Sequence, residues 1–216
     1  MAKAVDKAYQ LIRDGIMTGR YKQGAHITAQ ELAEDSGLSR TPVREAMRRL
    51  HSEGVIQIIP NRGAFVASWG EEDIGQYFEL ATVLESFAAE LAASRITDKE
   101  LVELSQLVDE MNRLVELSPP RMDEIHQVND QFHKKIMAAS GNSRLEHYLQ
   151  SMIEAQLVLG TLREYSPEEL KRSALQHGEL VAALEARDAT WARSVMTTHL
   201  LSARHAFMRT LGPHLG

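Results

Sequence analysis

The chain has 216 residues, a net charge of −6, 44% hydrophobic and 25% charged residues, and no cysteine. That is the composition of an ordinary globular protein long enough for one large core or two smaller ones, and it excludes disulfides and thiol catalysis. No window approaches the roughly 20 apolar residues of a membrane span, and the N-terminal MAKAVDKAYQLIRDGIM is broken by charges too often for a signal peptide, so a reducing cytoplasm is the expected setting.

The charge is unevenly distributed. Residues 1–69 hold 10 Lys and Arg against 7 Asp and Glu, a net +3, whereas residues 70–216 hold 14 against 23, a net −9. This asymmetry points to two modules with different partners. In the first, Val5, Ala8, Tyr9, Ile12, Ile16 and Met17 recur at helical spacing and predict a helix over about 2–18. Gly19 and Gly24 break it. Thr28, with Glu31 three residues on, has capping-box spacing and opens a short helix that Gly37 ends. Ser39 or Thr41 can cap the next helix, with Pro42 tolerated in its first turn and Val43, Ala46, Met47 and Leu50 as its apolar stripe. Helix, glycine turn, helix is the organisation of a helix-turn-helix. VIQII, PNRG and AFVAS then read as strand, turn and strand, a β-hairpin wing. A boundary falls at Trp69-Gly70-Glu71-Glu72-Asp73. Beyond it, six helices are predicted at 73–94, 98–117, 121–140, 143–163, 167–186 and 188–211. The short connections make successive helices antiparallel neighbours in a bundle. The fold class is therefore mainly α: a winged helix-turn-helix of three helices plus a β-hairpin over 1–69, then an all-α antiparallel bundle over 73–216.

The stretch SRTPVREAMRRL concentrates four arginines against one glutamate. With Val43, Met47 and Leu50 turned inward, the helical period sends Arg44 and Arg48 to the opposite face and leaves Arg40 and Thr41 at the exposed N-terminal end. A recognition helix presents that end to base edges in the major groove, where arginine binds guanine O6/N7 or forks onto phosphate. A solvated, arginine-rich surface helix is the plainer alternative.

LAEDSGLSRTPVREAMRRL, followed by EGVI and PNRGAFV, closely resembles the N-terminal winged helix of GntR-superfamily bacterial transcription regulators. The resemblance implies operator reading by Arg40, Thr41 and Arg44, Ser39 near phosphate, and Arg62 and Gly63 in the wing. Arg48 and Arg49 stand on later turns that lift away from the bases.

Three histidines of the helical half, His133, His177 and His199, each fall on the apolar stripe of a different predicted helix. A single such histidine is usually a satisfied core residue, but three rings in one bundle would each need a buried partner, and convergence on one ion would satisfy all of them. Asn129, one turn before His133, could add an oxygen, and Asp130 is the competing donor. Neither HExxH nor Glu-x-x-His pairs occur, and no serine sits in GxSxG, which weakens an enzyme reading.

NDQFHKKIMAASGN, LQHGELVAALEARD and ARSVMTTHLL resemble the FCD ligand-binding domain of the FadR-type branch. The resemblance implies a divalent metal held by Asn129, His133, His177 and His199, and imidazole donors suit zinc or nickel better than manganese. Many relatives have Asp where this chain has Asn129, and often an arginine facing the effector where this chain has Ala81. Arg163 or Arg172 could substitute for it. The expected function is that of a dimeric transcription regulator, a repressor by resemblance, that binds double-stranded operator DNA and responds to a small organic effector, an acid among the candidates, bound near the metal. A helical metalloenzyme and a purely structural dimer module are the rival readings.

Overall fold

The computed structural model describes residues 2–60, 62–68, 70–149 and 165–211. These form two compact units, one ending at Gly70 and the other beginning at Glu71. The expected helix over 143–163 is described only to residue 149, and Asn61, Trp69 and Arg163 lie outside the described residues.

The N-terminal unit is built from α1 (Ala2–Met17), β1 (His26–Ile27), α2 (Ala29–Ser36), α3 (Arg40–Ser52), β2 (Ile56–Ile59) and β3 (Gly63–Val66). Thr28 caps α2 in a full capping box with Glu31, and Gly37 closes it with a left-handed φ of 65°, a conformation that favours glycine. The next helix starts only three residues later, so Gly37 sets the tight turn between α2 and α3. Pro42, Val43, Ala46, Met47 and Leu50 form the buried face of α3. Val43, Ala46, Met47 and Leu50 pack with Ala8, Ile12 and Ile16 of α1 and with Ile56, Ala64 and Val66 of the wing. β2 and β3 pair antiparallel, with Ile56 opposite Val66 and Ile59 opposite Gly63.

The sheet has a third strand. β1 pairs with the other edge of β3, His26 opposite Phe65 and Ile27 opposite Ala64, giving the order β1-β3-β2. Two residues show no alternation to read, and this strand exists only because β3 offers it an edge.

The second unit comprises α4 (Glu71–Arg95), α5 (Asp98–Val115), α6 (Met122–Ala139), α7 (residues 143–149), α8 (Pro167–Glu185) and α9 (Ala189–Leu211). Capping boxes open α5 at Thr97 with Glu100 and α8 at Ser166 with Glu169. The Asn142 side chain accepts from the Leu145 amide at the start of α7. Ala81, Ala88, Ala89, Ala92 and Ala93 are buried along α4. Such small side chains let α4 lie close to its neighbours, and it packs on α6, α8 and α9. One apolar cluster joins Ala89, Ala92, Leu104, Ile136, Leu180 and Leu200. A second joins Met111, Leu114, Ile125, Val128, Leu170 and Ala174. Among the described residues, no helix is long and apolar enough to cross a membrane.

Two substitutions test this account of the helical unit. Leu104 is fully buried, and Leu104→Ala is expected to cost about 2–5 kcal/mol of stability. Thr97→Ala removes one capping box at a cost of about 1 kcal/mol. Denaturant unfolding of the full chain, followed through the helical unit's transition, measures both.

Candidate functional site

Each unit carries one cluster of chemistry. In the N-terminal unit it is the outer face of α3. Ser39 stands at the N-cap in extended conformation and makes no side-chain capping bond. The first-turn amides of Arg40 and Thr41 therefore have no intrahelical acceptor, and Pro42 has no N–H to offer. Arg40, Thr41, Arg44 and Arg48 are all exposed. Their engagements differ. Arg40 donates to the Gln30 side chain at 3.0 Å. Arg48 lies 3.4 Å from Glu45 in a solvated pair of the kind that contributes little. Arg44 makes no hydrogen bond or ion pair among the described residues. It lines, with Arg48, an open groove of about 300 Å³ whose other wall is Ile58, Gly63 and Ala64 of the wing.

Arg49 is different. Its guanidinium sits over the Tyr9 ring at 3.9 Å and pairs with Glu53 at 3.0 Å, so it is engaged inside its own unit. In the wing, Arg62 lies over the Phe65 ring at 5.9 Å. Gly63 has a φ of +97°, and a Cβ there would stand 2.4 Å from His26 Nε2. The glycine is thus required by the wing's own shape.

In the helical unit the sequence period brings three rings together. His133 on α6, His177 on α8 and His199 on α9 are all buried. Each can place one ring nitrogen within 4.8 Å of one from the other two, and this is the only such group of histidine and carboxylate donors among the described residues. The ring centroids lie 5.5 Å apart for His133 and His177, 5.2 Å for His133 and His199, and 4.8 Å for His177 and His199. On α8 the cluster falls between Leu170 and Ala174 of one apolar cluster and Leu180 of the other.

The three rings are held in three ways. His133 Nδ1 is 2.7 Å from Glu85 Oε2, a buried carboxylate on α4. His199 Nδ1 is 3.2 Å from Gln176 Oε1. His177 stacks on Phe132 at 4.1 Å, and neither of its nitrogens has a hydrogen-bond partner. Sequence reasoning missed Glu85. A signal existed, since Glu85 shares the small-residue face of Ala81, Ala88 and Ala92, where a charge has no ordinary reason to be.

Asp130 is outside the histidine group. One of its oxygens accepts from Lys134 at 2.7 Å, and the other is buried without a hydrogen-bond partner. Asn129 is half-buried one turn before His133. Ala81 is fully buried on α4, one turn before Glu85. Arg172 lines a small cavity, about 30 Å³, with Ser173, His199, Ser202 and His205. The Ser173 hydroxyl is buried there and unpartnered.

Burial, then the neighbouring histidines, holds His177 well below its usual pKa. Burial and His133 push His199 down to about 3 from 6.5. Both rings are therefore neutral at neutral pH, the form in which imidazole binds a metal. Below pH 6.5 the unfolded chain takes up protons that the folded chain refuses, so stability falls as pH drops from about 6.5 toward about 3. For the metal-free protein the expected loss is at most about 1.4 kcal/mol per pH unit for each histidine. Thermal midpoints recorded from pH 7.5 to 5 check this, and His199→Leu should flatten the slope. A midpoint that rises on acidification is inconsistent with neutral buried rings.

Both clusters lie in regions that match known protein families. Residues 4–66 match the family described as bacterial regulatory proteins, gntR family, and residues 76–202 match the FCD domain. The chain is 30% identical to the HTH-type transcriptional regulator McbR of Escherichia coli K12 over 183 residues, 82% of this chain and 80% of that protein. The solved structure of E. coli McbR/YncC superposes with a TM-score of 0.81 at 27% identity, covering 97% of this chain and 99% of that one. The uncharacterized HTH-type regulator YdhC of Bacillus subtilis is 28% identical over 66% of this chain. The Nta operon transcriptional regulator of Aminobacter aminovorans is 31% identical over 62% of this chain. The chain spans 63% and 62% of the lengths of these last two relatives. With a gntR-type winged helix followed by an FCD domain that alone covers more than half of its length, this chain belongs to the GntR family of bacterial regulatory proteins.

Proposed function

We propose that the chain is a cytoplasmic, homodimeric transcription regulator, a repressor, that binds operator DNA through α3 and the wing and releases it in response to a small organic acid. The observation that carries this reading is the presence in one chain of an open arginine face and a buried, incompletely satisfied histidine cluster. Arg44, without a partner among the described residues, lines the groove between α3 and the wing, where a base edge or phosphate would meet it. Arg40, Thr41 and the first-turn amides extend the same face, with Ser39 beside phosphate and Arg48, Arg62 and Gly63 flanking. Matched relatives are named as transcription regulators, which favours this reading over a metalloenzyme.

The histidine cluster fits a divalent metal. Its donors are convergent and buried, His177 and His199 are held neutral, and His177 has two orphaned nitrogens. His133, His177, His199 and the amide oxygen of Asn129 would hold the ion. Imidazole donors suit zinc or nickel better than manganese. A bound ion there offers an open coordination position to a carboxylate or hydroxyl. Beside His199, Arg172, the Ser173 hydroxyl and Glu169 line the adjoining small cavity, and Arg172 is the candidate cation for an effector carboxylate where relatives carry an arginine at the position of Ala81. Dimerisation has a candidate surface on α4, where Leu80, Val83 and Phe87 are exposed at helical spacing.

Selection of binding sites from random duplex DNA, followed by titration, tests the regulator reading. Arg44→Ala is expected to weaken the selected site by about 1–3 kcal/mol with relaxed preference at particular base pairs. Arg49→Ala should leave base preference unchanged. Equal binding by wild type and Arg44→Ala would remove α3 as the reader.

Elemental analysis of protein purified without chelator or nickel resin tests the metal. His177→Ala should lose metal and effector response together while binding DNA normally. A metal-free wild type with a normal effector response would reduce the histidines to packing. Leu80→Glu combined with Phe87→Glu should shift sedimentation toward the 24.2 kDa monomer, and an unchanged dimer would place the interface elsewhere.

A further inference from the structure

We propose that Glu85 is the positioning residue of the metal centre: it holds His133 with Nδ1 protonated, presents Nε2 to the ion, and supplies the negative charge that Asn129 does not. This rests on the metal reading above and concerns a residue that lies outside the ligand set.

The Glu85 side chain is 3% exposed and that of His133 is 7% exposed, with 2.7 Å between Oε2 and Nδ1. A buried carboxylate is costly unless it is paired and hydrogen-bonded. The face of α4 around it consists of Ala81, Ala88 and Ala92, so an apolar side chain would serve the packing equally well. What the carboxylate adds is direction and charge. It accepts a hydrogen bond from Nδ1–H, which leaves the lone pair on Nε2 as the one available to an ion. Neither of its oxygens joins the group of atoms within 4.8 Å that the three histidines share. It therefore stands behind His133, as in a carboxylate–histidine–metal relay, and it does not enter the coordination sphere.

The charge argument is independent of the tautomer argument. Three neutral imidazoles and an amide oxygen would leave a buried divalent ion with no anionic partner among its ligands. Among the described residues, His133 is the one ring of the three with an anion at its back, since His199 has the Gln176 amide and His177 the Phe132 ring. Glu85 restores one negative charge one hydrogen bond away from the ion and raises the donor strength of His133.

The test is Zn²⁺ affinity of the full chain, measured by competition with a chromophoric chelator for wild type, Glu85→Gln and Glu85→Leu. Gln keeps the shape and an acceptor but removes the charge, while Leu removes both. Loss of affinity is expected to be roughly 10-fold for Gln and to approach roughly 100-fold for Leu. Imidazole ¹⁵N spectra of the zinc-loaded wild type should show His133 protonated at Nδ1. The Gln variant is nearly isosteric, so it keeps the test decisive if the Leu variant does not fold. Zinc binding by Glu85→Gln within twofold of wild type, or a His133 metallated through Nδ1, overturns the proposal. A wild type that binds no zinc is a different result and overturns the metal reading itself.

Discussion

The burial of three imidazole rings inside an apolar bundle is the constraint to which the helical unit answers. A neutral imidazole carries one donor and one acceptor, and each left unsatisfied in the interior costs about 1–3 kcal/mol. For His177, with both nitrogens unpartnered, that cost is a large fraction of the roughly 5–15 kcal/mol by which a typical domain is stable. The two flanking rings are relieved differently, one by a carboxylate and one by an amide. The unit tolerates the arrangement because the cluster is walled by two apolar cores that are themselves well packed. A ligand that satisfies the rings then adds its binding free energy to folding, so the site and the fold are stabilised together.

The N-terminal unit poses the opposite problem, how to keep charge out of its core while keeping it available. The four arginines of SRTPVREAMRRL are not equivalent. Arg49 is held over Tyr9 and against Glu53, tying α3 to α1 and to its own end. Arg40, Arg44 and Arg48 lie on the outer side, with Arg44 unengaged among the described residues. One helix thus separates a structural cation from open ones by its 3.6-residue period alone. The wing completes the surface, and its shape depends on Gly63, where both the backbone angle and the nearness of His26 leave no room for a side chain.

How much of this was legible in the sequence depends on what carries each feature. The capping boxes at Thr28 and Thr97 and the Ser166 cap with Pro167 behind it are local, and the helices they open begin within a residue or two of where spacing places them. The three histidines were legible because each lies on the apolar stripe of an amphipathic helix, where a polar ring stands out. Glu85 was harder to read, because the outer side of α4 mixes Leu80, Val83 and Phe87 with Gln76 and Glu79 and so gives no clean polar face against which a misplaced charge stands out. β1 was not, because two residues become a strand only through the partner edge of β3. The distinct position of Arg49 was not either, since it depends on Tyr9 and Asp6, some forty residues away in the chain.

α4 concentrates the roles that a regulator of this kind needs. It begins at Glu71, immediately after the last residue of the N-terminal unit. Glu85 stands 14 residues along it, about 21 Å at 1.5 Å per residue, and the exposed Leu80, Val83 and Phe87 lie on the same helix. A helix is stiff over that length, so a shift of Glu85 cannot be absorbed locally in the way a loop would absorb it. An effector alters DNA affinity only as far as it binds two arrangements of the protein unequally. Under the regulator reading, the Glu85–His133 pair ties the metal site to the one helix that carries both the dimer surface and the chain's entry into the helical unit. Ligand contacts at the histidines that favour one setting of α4 over another then act on the helix that follows the N-terminal unit in the chain.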